Sequence, residues 1–178
     1  MRRWFVALVP PSDIQDKASA IIDELTVKYG TRTARTMPHV TLIAPFEVIA
    51  DEGEATQPVK QVLRQVARAS KPFTVSLAGF NSFAPRVLFI DVDKSACLSE
   101  LKQHLERALA EACAITPDNR HYQPHMTIAS RKVRKNNFTR IWQDLDNRTF
   151  EEVWQCTEVS LLVYEDMRWK VDMTFPIG

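Results

Sequence analysis

The chain has 178 residues, of which 45% are hydrophobic and 25% charged, and its formal net charge is +1. This composition is typical of a globular domain, and a charge so close to neutral excludes a molecule that is drawn as a whole to nucleic acid or to an acidic membrane. No stretch reaches the ~20 apolar residues of a membrane span. Three widely spaced cysteines without a C-x-x-C pair indicate a reducing compartment, so we expect a cytoplasmic protein.

The first half of the chain predicts a strand, a helix, a short motif strand, a second helix and a long strand. The first strand stops at Pro10-Pro11, and Ser12 is the expected N-cap of a helix whose apolar spacing continues to Gly30. Gly79 suggests a bulge in the long strand. The predicted bounds are 3–9, 12–30, 39–43, 58–69 and 73–83.

The second half repeats this order. A strand at 87–92 precedes a helix with Ser95 as its N-cap, a motif strand starts at His125, a helix covers about 138–145, and two strands at about 151–164 and 168–175 finish the chain. Long strands mixed with helices favour an α+β fold with antiparallel sheets. No flexible linker separates the halves, so residues 1–178 are expected to form one domain of two packed lobes.

A short pattern occurs twice, as Pro38-His39-Val40-Thr41-Leu42 and as Pro124-His125-Met126-Thr127-Ile128. Two of the four histidines lie in this pattern, 125 − 39 = 86 residues apart. Alternate residues of a strand point to the same face. We therefore expect His39, Thr41 and Ile43 to share one face of the first motif strand, and the histidine and threonine of the second copy to do the same.

Two such strands on either side of a cleft suit phosphate ester chemistry. Imidazole has an ordinary pKa near ~6.5, so one histidine can be neutral while the other is protonated. The pair can then act as general base and general acid on opposite sides of a reacting centre, and the hydroxyls can donate to non-bridging phosphate oxygens. His121 and His125 are four residues apart, but no acidic or cysteine cluster completes a metal site. We therefore predict no metal ion and no cofactor.

The two motifs resemble the paired His-x-Thr-x signatures of the two-histidine (2H) phosphoesterase superfamily, which includes RNA 2′,3′-cyclic phosphodiesterases, also called 2′-5′ RNA ligases. The opening strand, the motif spacing and the chain length agree with this resemblance. It implies a bilobal α+β fold with pseudo-two-fold symmetry, in which two antiparallel sheets line a central cleft and the helices lie outside. It also implies that His39 and His125 are the catalytic acid and base, in either order, and that Thr41 and Thr127 bind the phosphate.

Other site residues are less sharply indicated. Many RNA-processing members of the family have an arginine five residues after the second histidine, where this chain has Ser130. Arg131 is the candidate for this phosphate contact, although on a continuous strand it faces the opposite side. The basic run 131–135 is either a solvated loop or a patch that attracts phosphates. Phe46 is a candidate for stacking on a base, as is Phe83; core packing is the favoured interpretation of both, particularly of Phe83.

The sequence thus predicts a metal-independent phosphodiesterase that opens the 2′,3′-cyclic phosphate of RNA 3′ ends or small nucleotides to a phosphomonoester. Two alternatives stay open: a phosphodiesterase for another cyclic or 2′-5′-linked nucleotide, and a module that binds nucleotides or RNA ends without turnover. Because nothing in the sequence marks a subunit interface or a membrane contact, we expect a monomer whose partner is its substrate.

Overall fold

Two four-stranded antiparallel sheets form the framework of the protein in the computed structural model, which describes residues 2–32, 36–48, 56–118, 120–130, 133 and 135–178. In chain order the elements are β1 (Arg2–Leu8), α1 (Ser12–Tyr29), β2 (Val40–Val48), α2 (Gln57–Ala69), β3 (Phe73–Phe83), β4 (Val87–Val92), α3 (Ala96–Cys113), β5 (His125–Ala129), α4 (Lys135–Asp146), β6 (Glu151–Cys156), β7 (Glu158–Glu165) and β8 (Arg168–Pro176). The predicted α+β class is confirmed.

The two sheets have equivalent layouts. The first has the strand order β2-β1-β7-β8 and the second the order β5-β4-β3-β6. Each motif strand is therefore an edge strand, paired with the strand that begins its half of the chain. Strand β3 belongs to the first half of the sequence but pairs with β4 and β6 in the second sheet. The two halves of the sequence are thus interleaved in the second sheet.

Several local signals have the structural role that the sequence predicts. The Ser95 hydroxyl accepts a hydrogen bond from the Leu98 amide at 3.2 Å and caps α3. Gly30 ends α1 in the left-handed region, with φ of 67°. Gly79 also has a positive φ, of 71°, and lies where the β3–β4 register shifts between Leu77 and Phe80. The predicted bulge is confirmed.

Three local predictions are wrong. Ser12 is the first residue of α1 and not its cap; Pro11 holds the cap position and makes no side-chain hydrogen bond. The single strand expected at 151–164 is two strands, β6 and β7, which belong to different sheets. Ile43 does not share a face with Thr41, because the β1–β2 register shifts between them. Thr41 is opposite Ala7, whereas Ile43 is opposite Val6 and packs in the main core.

The core lies between the sheets and the helices that cover them. Helix α1 contacts β5 and α4, whereas α2 packs against α3 and the β7–β8 pair. On β1, Trp4, Val6 and Leu8 belong to the main buried cluster, while Phe5 and Ala7 form a smaller cluster on the opposite face of the sheet. This second face carries the first motif. Within the described residues, no helix is both long and apolar enough to span a membrane.

Candidate active site

Both motif histidines are held in the same way at the start of their strands. His39 immediately precedes β2, and His125 is the first residue of β5. In each ring Nδ1 lies 2.8 Å from the carbonyl oxygen two residues earlier, that of Met37 or of Gln123. A carbonyl oxygen only accepts hydrogen bonds, so each Nδ1 carries the hydrogen and each Nε2 is left for chemistry. The intervening proline favours an extended residue before it, which helps to aim these carbonyls.

Aromatic side chains support the two imidazoles in matching positions. The Phe5 ring centroid is 4.9 Å from that of His39 with an interplanar angle of 51°, and Phe89 is 5.0 Å from His125 at 52°. Phe5 lies on β1 and Phe89 on β4, the equivalent strands of the two sheets. The second histidine has an additional neighbour, because Phe83 meets it edge-on at 5.0 Å. The pseudo-two-fold relation therefore extends to the side chains around each histidine.

The electrostatic environments of the two histidines differ. Burial is the main effect on both, and it lowers the pKa of each below the ordinary value of 6.5. For His125 the hydrogen bond to the Gln123 carbonyl and the negative charge of Asp91 oppose this shift, whereas the positive charge of Arg120 lowers the pKa further. Asp91 lies opposite His125 in the β4–β5 register. For His39, in contrast, a positive charge on His125 lowers the pKa further.

The Asp91 carboxylate is fixed by two hydrogen bonds. One oxygen accepts from the Asn81 amide nitrogen at 3.2 Å, and the other accepts from the Val92 backbone amide at 3.2 Å. Because Asn81 lies on β3 and Val92 on β4, the carboxylate is anchored to the rigid centre of the second sheet. A carboxylate held in this way can bias one histidine towards its protonated form without moving during a reaction.

Both motif threonines line a cavity of about 510 Å³ between the lobes. His125 also lines this cavity. His39 is not among its lining residues; its ring packs against Phe5, on the sheet face to which Thr41 belongs. Neither threonine hydroxyl has a hydrogen-bond partner among the described residues, so both are available to donate to a ligand.

Two cations and a backbone amide border the same cavity. The side chains of Lys102 and Arg120 line it, each paired with a carboxylate: Lys102 with Glu106 at 2.5 Å, and Arg120 with Asp118 at 2.5 Å. Ser130, five residues after His125, lines it as well, and its amide is already bonded to the Arg32 carbonyl at 3.1 Å.

Arg131, the predicted phosphate contact, lies outside the described residues, as do Lys132 and Arg134 of the basic run. The predictions for these side chains therefore stay predictions. Among the residues that are described, no group of three or more histidine, cysteine, aspartate or glutamate side chains is arranged to hold a metal ion.

The two candidate stacking residues occupy different cavities. Phe83 is 40% exposed and lines the cavity that contains His125. Phe46 packs against the main core and lines a neighbouring cavity of about 610 Å³, which shares Ala44 and Pro45 with the first. Phe83, the less favoured of the two in the sequence, therefore has the position next to the catalytic candidates. No local pattern distinguishes these two phenylalanines.

Tyr122 forms a hydrogen bond between the segment before the second motif and the first motif strand. Its hydroxyl donates a hydrogen bond to the Thr41 carbonyl oxygen at 3.2 Å, and the Lys102 ammonium lies 4.8 Å from its ring centroid. Burial raises the pKa of Tyr122, so the phenol keeps its proton and remains a donor. One backbone carbonyl of the edge strand β2 thereby accepts a hydrogen bond from the segment that leads into β5.

Replacing Tyr122 with phenylalanine removes this link between the lobes. We expect the free energy of unfolding to fall by about 1 kcal/mol, the usual net value of one hydrogen bond in a folded protein. Tyr164→Phe is the matched control, because its phenol is 38% exposed and makes no hydrogen bond within the described part of the chain. Denaturant unfolding of the two variants measures the difference; equal stabilities would contradict the role given to the Tyr122 hydroxyl.

The residues that sequence reasoning missed all come from elsewhere in the chain. Asp91, Phe5 and Phe89 reach the histidines through strand pairing, and Tyr122 reaches Thr41 across the cleft. Each of these residues has an ordinary local pattern for a strand or a loop. The pairing of β1 with β2 and of β4 with β5 distinguishes Asp91, Phe5 and Phe89 from other aromatic or acidic residues. The hydrogen bond to Thr41 does the same for Tyr122.

Comparison with known proteins identifies relatives of this chain. Residues 10–168 match the family described as the 2′-5′ RNA ligase superfamily. A protein of Bacillus cytotoxicus named "Putative phosphoesterase" is 30% identical over 177 residues, covering 97% of this chain and 95% of its own. A protein of Bacillus pumilus with the same name is 28% identical over 179 residues, covering 99% and 98%.

Solved structures have the same fold. TT0787 of Thermus thermophilus has a TM-score of 0.70 at 19% identity, and the match covers 99% of this chain and 98% of that one. LigT of E. coli in complex with 3′-AMP has a TM-score of 0.61 at 20% identity, with the same coverage. Because the family profile spans most of the sequence, both motifs included, this chain belongs to the 2′-5′ RNA ligase superfamily, the two-histidine phosphoesterases.

Proposed function

We propose that this protein is a phosphodiesterase that opens the 2′,3′-cyclic phosphate of an RNA 3′ end or nucleotide to a phosphomonoester, without a metal ion. The observation that carries the proposal is the pair of histidines, each with Nδ1 bonded to a carbonyl at 2.8 Å and Nε2 left free, on edge strands whose threonines line one cavity. A binding module has no need of two proton carriers prepared in the same tautomer.

In the proposed reaction one Nε2 removes a proton from water, and the water oxygen forms a bond to phosphorus. The bond from phosphorus to one ribose oxygen breaks, and the other histidine gives its Nε2 proton to that departing oxygen. The Thr41 and Thr127 hydroxyls donate to the non-bridging oxygens, where charge builds up. The histidines end with their protonation states exchanged and return to the starting state through solvent.

We assign the base to His39 and the acid to His125. The Asp91 carboxylate favours a proton on His125, and that proton in turn disfavours one on His39. Both effects act in the direction that a neutral base and a protonated acid require. The assignment rests on this electrostatic difference, which the positive charge of Arg120 reduces because it lowers the pKa of His125.

The solved relatives support the choice of substrate. LigT of E. coli has been crystallised with 3′-AMP, a nucleoside phosphomonoester of the type that opening a cyclic phosphate yields. The cavity between the motifs, at about 510 Å³, has the size of an ordinary small-ligand site. Phe83 is exposed at its wall and offers an aromatic edge or face to a nucleobase.

The direct test is hydrolysis of a short RNA that ends in a 2′,3′-cyclic phosphate, with EDTA present. We expect steady turnover and a single phosphomonoester regioisomer, which chromatography against the 2′- and 3′-phosphate standards identifies. A folded protein that turns over no such RNA and no cyclic mononucleotide would contradict the proposal. Screening 2′-5′-linked and other cyclic nucleotides then separates another phosphodiesterase from a binding module.

The pH dependence of kcat/KM tests the two histidine roles. Burial holds the pKa of His39 and of His125 below 6.5, so the fraction of molecules with one neutral and one protonated ring peaks below pH 6.5. We expect a bell-shaped profile with its maximum there. The rising limb reports loss of a proton by the base, and the falling limb reports loss of a proton by the acid.

Asp91→Asn identifies which limb belongs to His125. Removing the carboxylate lowers the His125 pKa further, so with His125 as acid the falling limb moves to lower pH while the rising limb stays. Asp93→Asn is the matched control, because Asp93 is exposed and lies two residues away along the chain. Movement of the rising limb alone would reverse the assignment, and an unchanged profile would remove Asp91 from the mechanism.

A further inference from the structure

A row of aromatic rings runs from His39 to the outer edge of the first sheet. The Phe5 centroid lies 4.9 Å from the His39 ring and 4.6 Å from Trp169, which it meets edge-on. Trp169 in turn lies 5.2 Å from Tyr164. The strand register explains the row, since Tyr164 is directly opposite Trp169 on the β7–β8 hairpin. The reaction described above uses none of these three aromatic residues.

The row becomes more exposed with distance from the histidine. Phe5 is 3% exposed, Trp169 is half-buried, and Tyr164 is 38% exposed. Val171, on the same hairpin, is 40% exposed, and Met167 at its tip is 64% exposed. We call Tyr164, Trp169 and Val171 the aromatic shelf. An exposed apolar surface of this kind beside a catalytic cleft is typical of a binding site.

Positive charge accompanies the shelf. The Arg3 guanidinium lies 5.9 Å from the Trp169 ring centroid. Arg3 is exposed and forms no ion pair with any carboxylate of the described residues, although Glu47 is opposite it in the β1–β2 register. At the hairpin end Glu165 is paired with Arg2 at 3.1 Å and Asp166 with Lys170 at 2.6 Å. Arg3 is therefore available to contact an anion beside the Trp169 ring.

Flat aromatic faces beside a cation are the two features that sequence-tolerant binding of single-stranded nucleic acid combines. Resting on the proposed function, we propose that the aromatic shelf binds the nucleotides that precede the terminal cyclic phosphate. Their bases stack on Trp169 and Tyr164, and Arg3 contacts a phosphate. The preferred substrate is then a single-stranded RNA end and not a free cyclic mononucleotide. The buried Phe5 ring, which contacts both His39 and Trp169, places the shelf on the same sheet face as His39.

The test compares two substrates that share the same terminal nucleotide: a 2′,3′-cyclic mononucleotide and a hexanucleotide ending in it. The measured quantity is the ratio of their kcat/KM values. We expect the parent to prefer the hexanucleotide, and Trp169→Ala and Tyr164→Ala each to lower the ratio about tenfold, within the range for losing one stacked base. Tyr164→Phe keeps the ring and should keep the ratio. Val153→Ala is the matched control, because it trims another exposed apolar strand residue, 62% exposed, in the second sheet.

Two outcomes would contradict the proposal that the aromatic shelf binds RNA. One is a parent that does not distinguish the substrates; the other is a ratio that survives both alanine substitutions. If neither cyclic phosphate is hydrolysed, the proposed function is contradicted. The role of the aromatic shelf is then tested independently, by measuring binding of a hexanucleotide with a 3′-phosphate end. Salt-sensitive quenching of tryptophan fluorescence that is weakened in Tyr164→Ala, a variant that keeps Trp169, supports it. If the hexanucleotide does not bind, the proposal is contradicted, and a protein or lipid would be the partner to test for this surface.

Discussion

Replacing either His39 or His125 with alanine is expected to lower kcat/KM for an RNA with a 2′,3′-cyclic phosphate end by about 10²-fold or more. This is the scale of the contribution that a single general acid or general base makes to a reaction rate. The double variant should lose little more than either single variant, because the two histidines act in one concerted step.

The assay is run with EDTA, and every variant is checked for folding by circular dichroism and thermal unfolding. His104→Ala is the matched control, since His104 is an exposed residue of α3, outside the site. It should keep the activity of the parent. A variant of His39 or His125 that retained turnover within about threefold of the parent, far inside the expected 10²-fold loss, would remove that histidine from the mechanism.

Replacing Thr41 or Thr127 with valine should lower kcat/KM by about 10²-fold, the lower end of what a single lost donor to a developing oxyanion costs. Valine keeps the branched shape of threonine, so the strand and the cavity wall should stay in place. Only the hydroxyl is lost, and in neither threonine does that hydroxyl have a partner among the described residues. The loss should therefore appear in activity far more than in stability.

Thr41→Ser and Thr127→Ser distinguish a donated hydrogen bond from a packing effect, because serine restores the hydroxyl without the methyl group. We expect both serine variants to recover most of the lost activity. Thr74→Val is the matched control: Thr74 is an exposed strand residue whose hydroxyl accepts from Gln155 at 2.7 Å, away from the cavity. A valine variant of either motif threonine with full activity would assign the phosphate contact to other groups.

Much of this protein could be predicted from short stretches of sequence. Strands β3 and β4 have the predicted bounds, and Ser95, Gly30 and Gly79 act as cap, helix end and bulge. These features depend on side chains within a few residues of each other, so they leave a mark on the local pattern. The repeated motif is of the same kind, and it was enough to indicate the family.

The division at Thr157 shows where local reasoning ends. Residues 151–164 contain no glycine or proline that would mark a break between two strands. The chain nevertheless leaves the second sheet after Cys156 and enters the first at Glu158. Strand β6 is paired with β3, while β7 is paired with β1, more than 150 residues earlier in the chain. The sheet to which a strand belongs is set by these distant partners and by the burial of its faces, neither of which a local pattern contains.

The sequence by itself determined the kind of chemistry: two histidines and two threonines in a repeated frame specify the groups that can carry protons and bind a phosphate. The tertiary structure alone decided how these groups differ. It placed Asp91 opposite His125, whereas His39 has no such carboxylate among its described contacts. It also placed Phe83, and not Phe46, against the His125 ring, and it placed the aromatic shelf at the end of the first sheet. Strand pairing brings together residues far apart in the chain, and charge, burial and stacking act only over those short distances in space.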